Sequence, residues 1–86
     1  MKRSSIYFLY ILECKNGSLY TGITTDVERR FKQHKDGVGG HYTRSQEVVR
    51  IAHTETYPNR SAALKREAEI KRWPRQKKLI LLRQVQ

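Results

Sequence analysis

The chain has 86 residues, enough for one domain with a thin core, and its 18 Lys and Arg against 8 Asp and Glu give a net charge of +10. That excess attracts polyanions, and no apolar stretch of the sequence approaches the roughly 20 residues that cross a bilayer. A single cysteine, Cys14, excludes an internal disulfide and a cysteine-rich zinc site. We therefore expect one domain over residues 1–86, located in the cytoplasm, with nucleic acid and not a membrane as its partner.

The first third of the chain predicts two strands and a helix. Residues 6–13 are almost all β-branched, aromatic or aliphatic, as in a central strand. Asn16-Gly17 is a strong turn signal and predicts a return strand over 18–24. Asp26 is expected to be the N-cap of a helix over 27–36, in which apolar or amphipathic side chains recur at helical spacing.

The middle of the chain predicts a loop and a third strand. Residues 36–46 contain three glycines and are typical of a loop. Residues 47–57 alternate well enough to predict a strand with Val49, Ile51 and His53 on one face.

Two helices are predicted at the end of the chain. The first begins at Asn59 or Ser61 as its N-cap and runs to about residue 73, and the second covers 75–84 after Pro74. The inward side of the second helix is expected to consist of Leu79, Leu82 and either Ile80 or Leu81. The predicted fold is α+β: a small three-stranded, largely antiparallel sheet flanked by helices, in the order β-β-α-β-α-α.

Two tyrosine motifs on either side of the predicted hairpin, YIL at 10–12 and YTG at 20–22, resemble the pair that names the GIY-YIG nuclease superfamily. Arg30, His34 and Glu67 follow in the family's order, although the first motif lacks the glycine and the second has threonine in place of isoleucine. The chain is most similar to short stand-alone bacterial GIY-YIG proteins of uncharacterised function, and to the nuclease domain of structure-selective endonuclease subunits.

The hairpin decides which tyrosine of the first strand belongs to the site, because Tyr7 and Tyr10 are three apart and face opposite sides of a sheet. A two-residue turn at 16–17 would put Tyr7 on the face of Tyr20. A three-residue loop over 15–17, with its glycine left-handed, would put Tyr10 there. The turn signal leaves both open, and the spacing of the family favours Tyr10.

The resemblance implies a metal-dependent endonuclease that hydrolyses DNA phosphodiester bonds. Tyr10 or Tyr20 would serve as general base, the first tyrosine usually having that role in the family. Arg30 would hold the non-bridging phosphate oxygens, and His34, one helical turn on, would orient a tyrosine or relay a proton.

Glu67 is implied as the metal ligand, and its carboxylate suits Mg²⁺ or Mn²⁺, which take one or two carboxylates beside substrate phosphate. On the predicted helix it interrupts a face of small and apolar residues, where an acid is uncommon unless paired or metal-bound. The alternative is a salt bridge from Glu67 to Lys71 or Arg30.

Basic side chains outside this set predict the nucleic-acid surface. The candidates are Arg29, Lys32, Arg44, Lys65, Lys71 and Arg72. DNA is the expected partner and RNA an alternative, and a protein partner could supply specificity, since family members generally borrow it from attached domains. The competing function is a nucleic-acid-binding module on the same fold that does not cut, or cuts only with a partner.

The charge of the chain makes a prediction about binding. Affinity for a labelled DNA duplex, measured by fluorescence anisotropy, should fall at least ~10-fold between about 50 and 200 mM salt, because each neutralised phosphate releases condensed counterions. A dissociation constant that stays unchanged over this range would contradict an electrostatic origin of binding.

Overall fold

The structure, a computed structural model, describes residues 6–37 and 47–84. Three strands and three helices occur in this part of the chain, in the predicted order. They are β1 (Tyr7–Cys14), β2 (Leu19–Thr24), α1 (Val27–Lys35), β3 (Val48–Tyr57), α2 (Arg60–Lys71) and α3 (Arg75–Gln84). The α+β class is confirmed. No helix within the described ranges is long and apolar enough to cross a membrane.

The three strands form one antiparallel sheet in the order β2-β1-β3. The central strand β1 is covered on both faces, and its residues from Leu9 to Leu12 are each at most 2% exposed. On one face, Tyr10 and Leu12 pack near Phe31 of α1, and on the other, Leu9 and Ile11 pack against Ile70 of α2. Burial on both faces explains why the sequence of β1 is continuously apolar rather than alternating.

The β1–β2 hairpin has the three-residue loop. Leu12 pairs with Tyr20, and the Cys14 N–H donates to the Ser18 carbonyl at 2.9 Å across the loop over 15–17. Gly17 has φ of 89°, the left-handed conformation that this loop needs and that glycine adopts without steric cost. Tyr10 therefore shares a face with Tyr20, and Tyr7 lies on the opposite face.

One expectation about β3 is wrong. An irregularity in the pairing with β1 places Ile11 opposite His53 and Leu12 opposite Ile51, so Ala52 is an extra residue on β3. Such a bulge breaks the period of two. Ile51 accordingly packs on the α1 face while His53 lies on the opposite face. A second irregularity places Glu13 opposite Arg50 and Cys14 opposite Val48, so Val49 is also an extra residue, and it is 43% exposed.

The helices begin and pack largely as their sequences indicate. Asp26 Oδ1 accepts from Arg29 N at 3.1 Å, and Asn59, not Ser61, caps α2 by accepting from Ala62 N at 2.9 Å. In α3 the inward residues are Leu81 and Leu82, whereas Ile80 is 54% exposed. The loop predicted over 36–46 lies outside the described residues from position 38 onward.

A network of polar side chains joins β3 to α2 on the face opposite α1. Glu55 accepts a two-pronged pair of hydrogen bonds from Arg66, at 2.9 and 3.1 Å, and a third from Tyr57 at 2.6 Å. His53 Nε2 lies 2.8 Å from the other Glu55 oxygen. Burial alone would raise the pKa of Glu55, but the hydrogen bonds from Arg66, His53 and Tyr57 outweigh it and hold this pKa at about 2.

This depressed pKa predicts how stability changes in acid. Glu55 titrates near 4.5 when unperturbed and near 2 in the folded protein, so its contribution is complete above pH 4.5 and is lost as the pH falls toward 2. The free energy of unfolding should decrease by roughly 2–3 kcal/mol from this group over that interval. Urea unfolding between pH 2 and 6 measures it.

The matched pair of variants for this measurement is Glu55→Gln and Glu69→Gln, since Glu69 contacts the same arginine at 3.2 Å but is 52% exposed. Glu55→Gln should flatten the acid dependence, and Glu69→Gln should leave it nearly unchanged. Equal flattening in both variants would contradict the assignment to Glu55.

Candidate active site

The site is built around Tyr10, whose ring is buried between the sheet and α1. Tyr10 is 2% exposed, and its hydroxyl oxygen lies 3.1 Å from Nε2 of His34, within hydrogen-bonding distance. His34 is in the last turn of α1 and is 1% exposed, because the helical spacing that begins at Val27 turns it toward the sheet. A residue pair far apart in sequence is thus joined by one buried polar contact.

Tyr20 completes a cluster of three rings. Its ring centroid lies 4.9 Å from that of His34 and 6.3 Å from that of Tyr10. Tyr20 belongs to the edge strand β2 and is only half-buried, so it forms the outer side of the cluster.

Gly22 makes room for the Tyr10 ring. The two residues are directly opposite in the β1–β2 pairing, and a Cβ atom at Gly22 would lie 2.5 Å from the Tyr10 hydroxyl oxygen and 2.7 Å from Cζ. Both distances are shorter than van der Waals contact allows. The glycine of the YTG motif is therefore required by the neighbouring tyrosine and not by its own backbone conformation.

Arg30 of α1 and Glu67 of α2 both influence the pKa of the Tyr10 hydroxyl. Burial is the largest influence on the pKa of Tyr10 and raises it; a side-chain hydrogen bond with Arg30 opposes this, and the charge of Glu67 adds to it. The net result is a raised pKa, so Tyr10 is a neutral phenol near neutral pH. Loss of the Tyr10 proton in this state is therefore less favourable than loss of the proton from a solvated tyrosine.

The imidazole of His34 is neutral under the same conditions. Burial lowers its pKa, and the nearby positive charge of Arg30 lowers it further. A neutral imidazole can accept a proton at Nε2 when Nδ1 carries the ring hydrogen. The Tyr10 hydroxyl can therefore donate its proton to Nε2 of His34.

Glu67 lies on α2 with its side chain 18% exposed and forms an ion pair with Lys71, 3.2 Å between Oε2 and Nζ. The predicted alternative of a salt bridge to Lys71 is thus present in the structure. No group of three or more His, Cys, Asp or Glu side chains suited to a metal occurs in the described part of the chain. The donor set still fits Mg²⁺, since a partly exposed carboxylate offers one hard oxygen and leaves positions for water and phosphate.

The candidate nucleic-acid residues are distributed over α1 and α2. Arg29 and Lys32 are exposed on α1 in loose ion pairs with Asp26 and Asp36, at 4.0 and 3.6 Å. On α2, the exposed candidates are Lys65, Lys71 and Arg72. Arg44 lies outside the described residues.

Sequence reasoning missed two further features near this site. Thr21 is 4% exposed, and its Oγ1 has no hydrogen-bond partner among the described residues. Gln33 accepts from Arg30 Nη1 at 2.9 Å and so helps to hold the guanidinium. Neither residue type carries a distinctive sequence signal, although the alternation of β2 would have placed Thr21 on the face away from Tyr20.

Fold and site together define a GIY-YIG domain. The model of the GIY-YIG catalytic domain matches residues 6–79, and the chain belongs to this family. A UPF0213 protein of Haloquadratum walsbyi is 53% identical over 72 residues, which cover 84% of this chain and 81% of the relative. A UPF0213 protein of Staphylococcus saprophyticus is 46% identical over 76 residues, covering 88% of this chain and 93% of the relative.

Two solved structures are also similar to the chain. The solution NMR structure of a UPF0213 protein from Bacillus halodurans superimposes with a TM-score of 0.61 at 44% identity, covering 93% of this chain and 85% of that one. The solution NMR structure of a protein from E. faecalis gives a TM-score of 0.63 at 38% identity, covering 98% and 90%. These relatives extend the resemblance over nearly the whole chain.

The close approach at Gly22 leads to a prediction about packing. Gly22→Ala should displace the Tyr10 ring, separate its hydroxyl from His34 and lower the free energy of unfolding by about 1–3 kcal/mol, as overpacking of a filled core does. Chemical denaturation would measure the loss.

The control is a double-mutant cycle with Tyr10→Phe, which removes the atom nearest to the new methyl group. The cost of Gly22→Ala should be smaller in the Tyr10→Phe background. A Gly22→Ala protein that unfolds at the same denaturant concentration as the parent would show that the ring is not confined there.

Proposed function

We propose that this protein is a Mg²⁺- or Mn²⁺-dependent endonuclease that hydrolyses phosphodiester bonds in DNA. The observation that carries the proposal is the buried contact of 3.1 Å between the Tyr10 hydroxyl and Nε2 of His34, together with the influence of Arg30 and Glu67 on the pKa of the same hydroxyl. A proton acceptor, a phosphate-binding cation and a carboxylate within one site are what phosphodiester hydrolysis needs.

Tyr10 and His34 would act as the proton-transfer pair. As the attacking water bonds to phosphorus, its proton passes to the Tyr10 oxygen while the phenol proton passes to Nε2 of His34. The raised pKa of Tyr10 and the lowered pKa of His34 leave the phenol protonated and the imidazole free to accept. A concerted transfer of this kind avoids a free phenolate, which burial disfavours.

Arg30 would bind the non-bridging oxygens of the scissile phosphate. Its guanidinium is held by a hydrogen bond to Gln33 at 2.9 Å, so the positive charge is positioned before substrate arrives. Preorganised charge of this kind stabilises the transition state without reorganisation. Burial is the main cause of the lowered pKa of His34, and the same guanidinium lowers it further, so neutralisation of Arg30 by a phosphate would favour proton acceptance by His34.

Glu67 would hold the metal ion, which supplies charge neutralisation at the phosphate when bound. With one protein carboxylate, affinity in the absence of DNA should be low. Lys71 is the counter-charge of Glu67 in the metal-free protein and, being 53% exposed, is free to turn outward.

DNA would lie across the basic residues of α1 and α2, with Arg29, Lys32, Lys65 and Arg72 as backbone contacts. Arg44 is proposed as a further contact from the sequence. RNA is the alternative substrate, and a partner protein is proposed as the source of specificity. A cytoplasmic location suits the buried free thiol of Cys14.

The test compares plasmid nicking in Mg²⁺ by the parent, Glu67→Gln and Arg30→Ala. Each variant should nick at least ~100-fold more slowly, because each removes a charge that stabilises the transition state. Glu67→Gln should change the free energy of unfolding by no more than about 1 kcal/mol, because the lost ion pair has a half-exposed lysine and the desolvation of the Glu67 carboxylate, which is 18% exposed, is relieved. The variant should bind metal-free DNA as tightly as the parent or more tightly.

Glu69→Gln is the matched control, because it removes the same charge two residues further along α2 and should nick at the parental rate. Two results would contradict the metal assignment: parental nicking by Glu67→Gln, or unfolding of that variant with residual activity that follows the folded fraction. Binding by the parent protein without any nicking would favour the binding module instead.

A further inference from the structure

A shallow groove of about 320 Å³ runs along the outer edge of β2, next to the candidate active site. Its lining residues come from β2, α2 and α3 and are Leu19, Tyr20, Thr21, Lys71 and Lys78. Tyr20 lines both the groove and the candidate active site, where its ring contacts His34. The side chain of the next residue, Thr21, lies on the opposite face of the strand and also lines the groove.

Thr21 places a buried, unpaired hydroxyl in the wall of this groove. Its side chain is 4% exposed, and no group in the described residues pairs with its Oγ1. A buried hydroxyl without a partner is unfavourable, and a ligand oxygen that accepts from it would remove that penalty.

The backbone of Thr21 also faces outward. In an antiparallel hairpin, hydrogen-bonded and non-hydrogen-bonded residue pairs alternate. Because the Cys14 N–H donates to the Ser18 carbonyl, the next hydrogen-bonded pairs are Leu12 with Tyr20 and Tyr10 with Gly22. Thr21 lies between them, so its N–H points away from β1. Since β2 is an edge of the sheet formed by the described residues, this N–H points toward the open side.

Two ammonium groups complete the set. Lys71 and Lys78 come from consecutive helices, and none of the described residues lining the groove is acidic. The Lys71 ammonium is shared with Glu67, 3.2 Å away, so Lys78 is the main cation of the groove in the metal-free protein. A hydroxyl, a main-chain N–H and two lysines are all donors, the combination that binds an anionic phosphate oxygen.

We propose that this groove is a second phosphate subsite, which holds a backbone phosphate of the nucleic-acid strand beside the phosphate that Arg30 binds. The assignment rests on the proposed function for the identity of the strand. Fixing a flanking phosphate sets the register of the strand, so that the scissile phosphate meets Tyr10 and Arg30 in one orientation.

The experiment is an NMR titration of the metal-free, ¹⁵N-labelled protein with a short single-stranded oligonucleotide, following the Thr21 amide. Lys78→Met removes the ammonium and keeps the apolar stem. Lys77→Met is its matched control, with the same loss of charge on the same helix, because Lys77 lies over the Trp73 ring at 4.5 Å and outside the groove lining.

The Thr21 amide should shift in the parent and in Lys77→Met and should not shift in Lys78→Met, whose dissociation constant should rise about 5-fold relative to Lys77→Met. Thr21→Val should weaken binding too, while its melting temperature stays equal or rises because an unpaired hydroxyl is removed. Equal affinity of the two lysine variants, with equal Thr21 shifts, would overturn the proposal.

A parallel titration with inorganic phosphate separates a strand phosphate from a small anion. A Thr21 shift with inorganic phosphate and none with the oligonucleotide would overturn the strand assignment. Because no metal is present and no bond is cut, the result is independent of nicking. A protein that never nicks but still shows the Thr21 shift would support the phosphate subsite and contradict only the proposed endonuclease activity.

Discussion

The hairpin register is the constraint on which the rest of the structure depends. A left-handed Gly17 allows a three-residue loop, and this loop sets Leu12 opposite Tyr20 and Tyr10 opposite Gly22. A slip of one residue would exchange the faces of every side chain on β2. Tyr10 would then lose both Tyr20 as a neighbour and the space left by Gly22, while β1 itself would keep its burial on both faces.

Two networks use opposite faces of this sheet, and α2 contributes to both. Arg66 donates a hydrogen bond to the Glu55 carboxylate on β3. The charge of the next residue, Glu67, raises the pKa of Tyr10, whose ring lies on the other face of the sheet. Consecutive helix residues are separated by about 100° around the helix axis, so Arg66 can bind α2 to β3 while Glu67 points in another direction, toward the candidate active site. On the α1 face, the contact between the Tyr10 hydroxyl and His34 joins β1 to α1, and both side chains are also titratable groups of the candidate active site.

Local signals in the sequence predicted most of the fold. Asn16-Gly17, the Asp26 cap and the apolar spacing of α1 each act over a few residues, and each element was found within about two residues of its bounds. The bulge at Ala52 and the Arg66–Glu55 pairing were not predictable, since both depend on contacts between distant segments. The candidate site residues were predicted from the order of the family's motifs along the chain. The raised pKa of Tyr10 could not be predicted in this way, because it depends on how deeply the folded protein buries the side chain.

The bulge in β3 has a consequence for how such chains can change in evolution. If β3 instead alternated strictly through Ala52, without the bulge, His53, Glu55 and Tyr57 would turn toward α1, away from Arg66. The Glu55 carboxylate would then lie on the α1 face without its arginine partner. Related chains with the same strand length should therefore keep a bulge between the residues aligned with Ile51 and His53, and other insertions and deletions should accumulate at the loops that flank the strand.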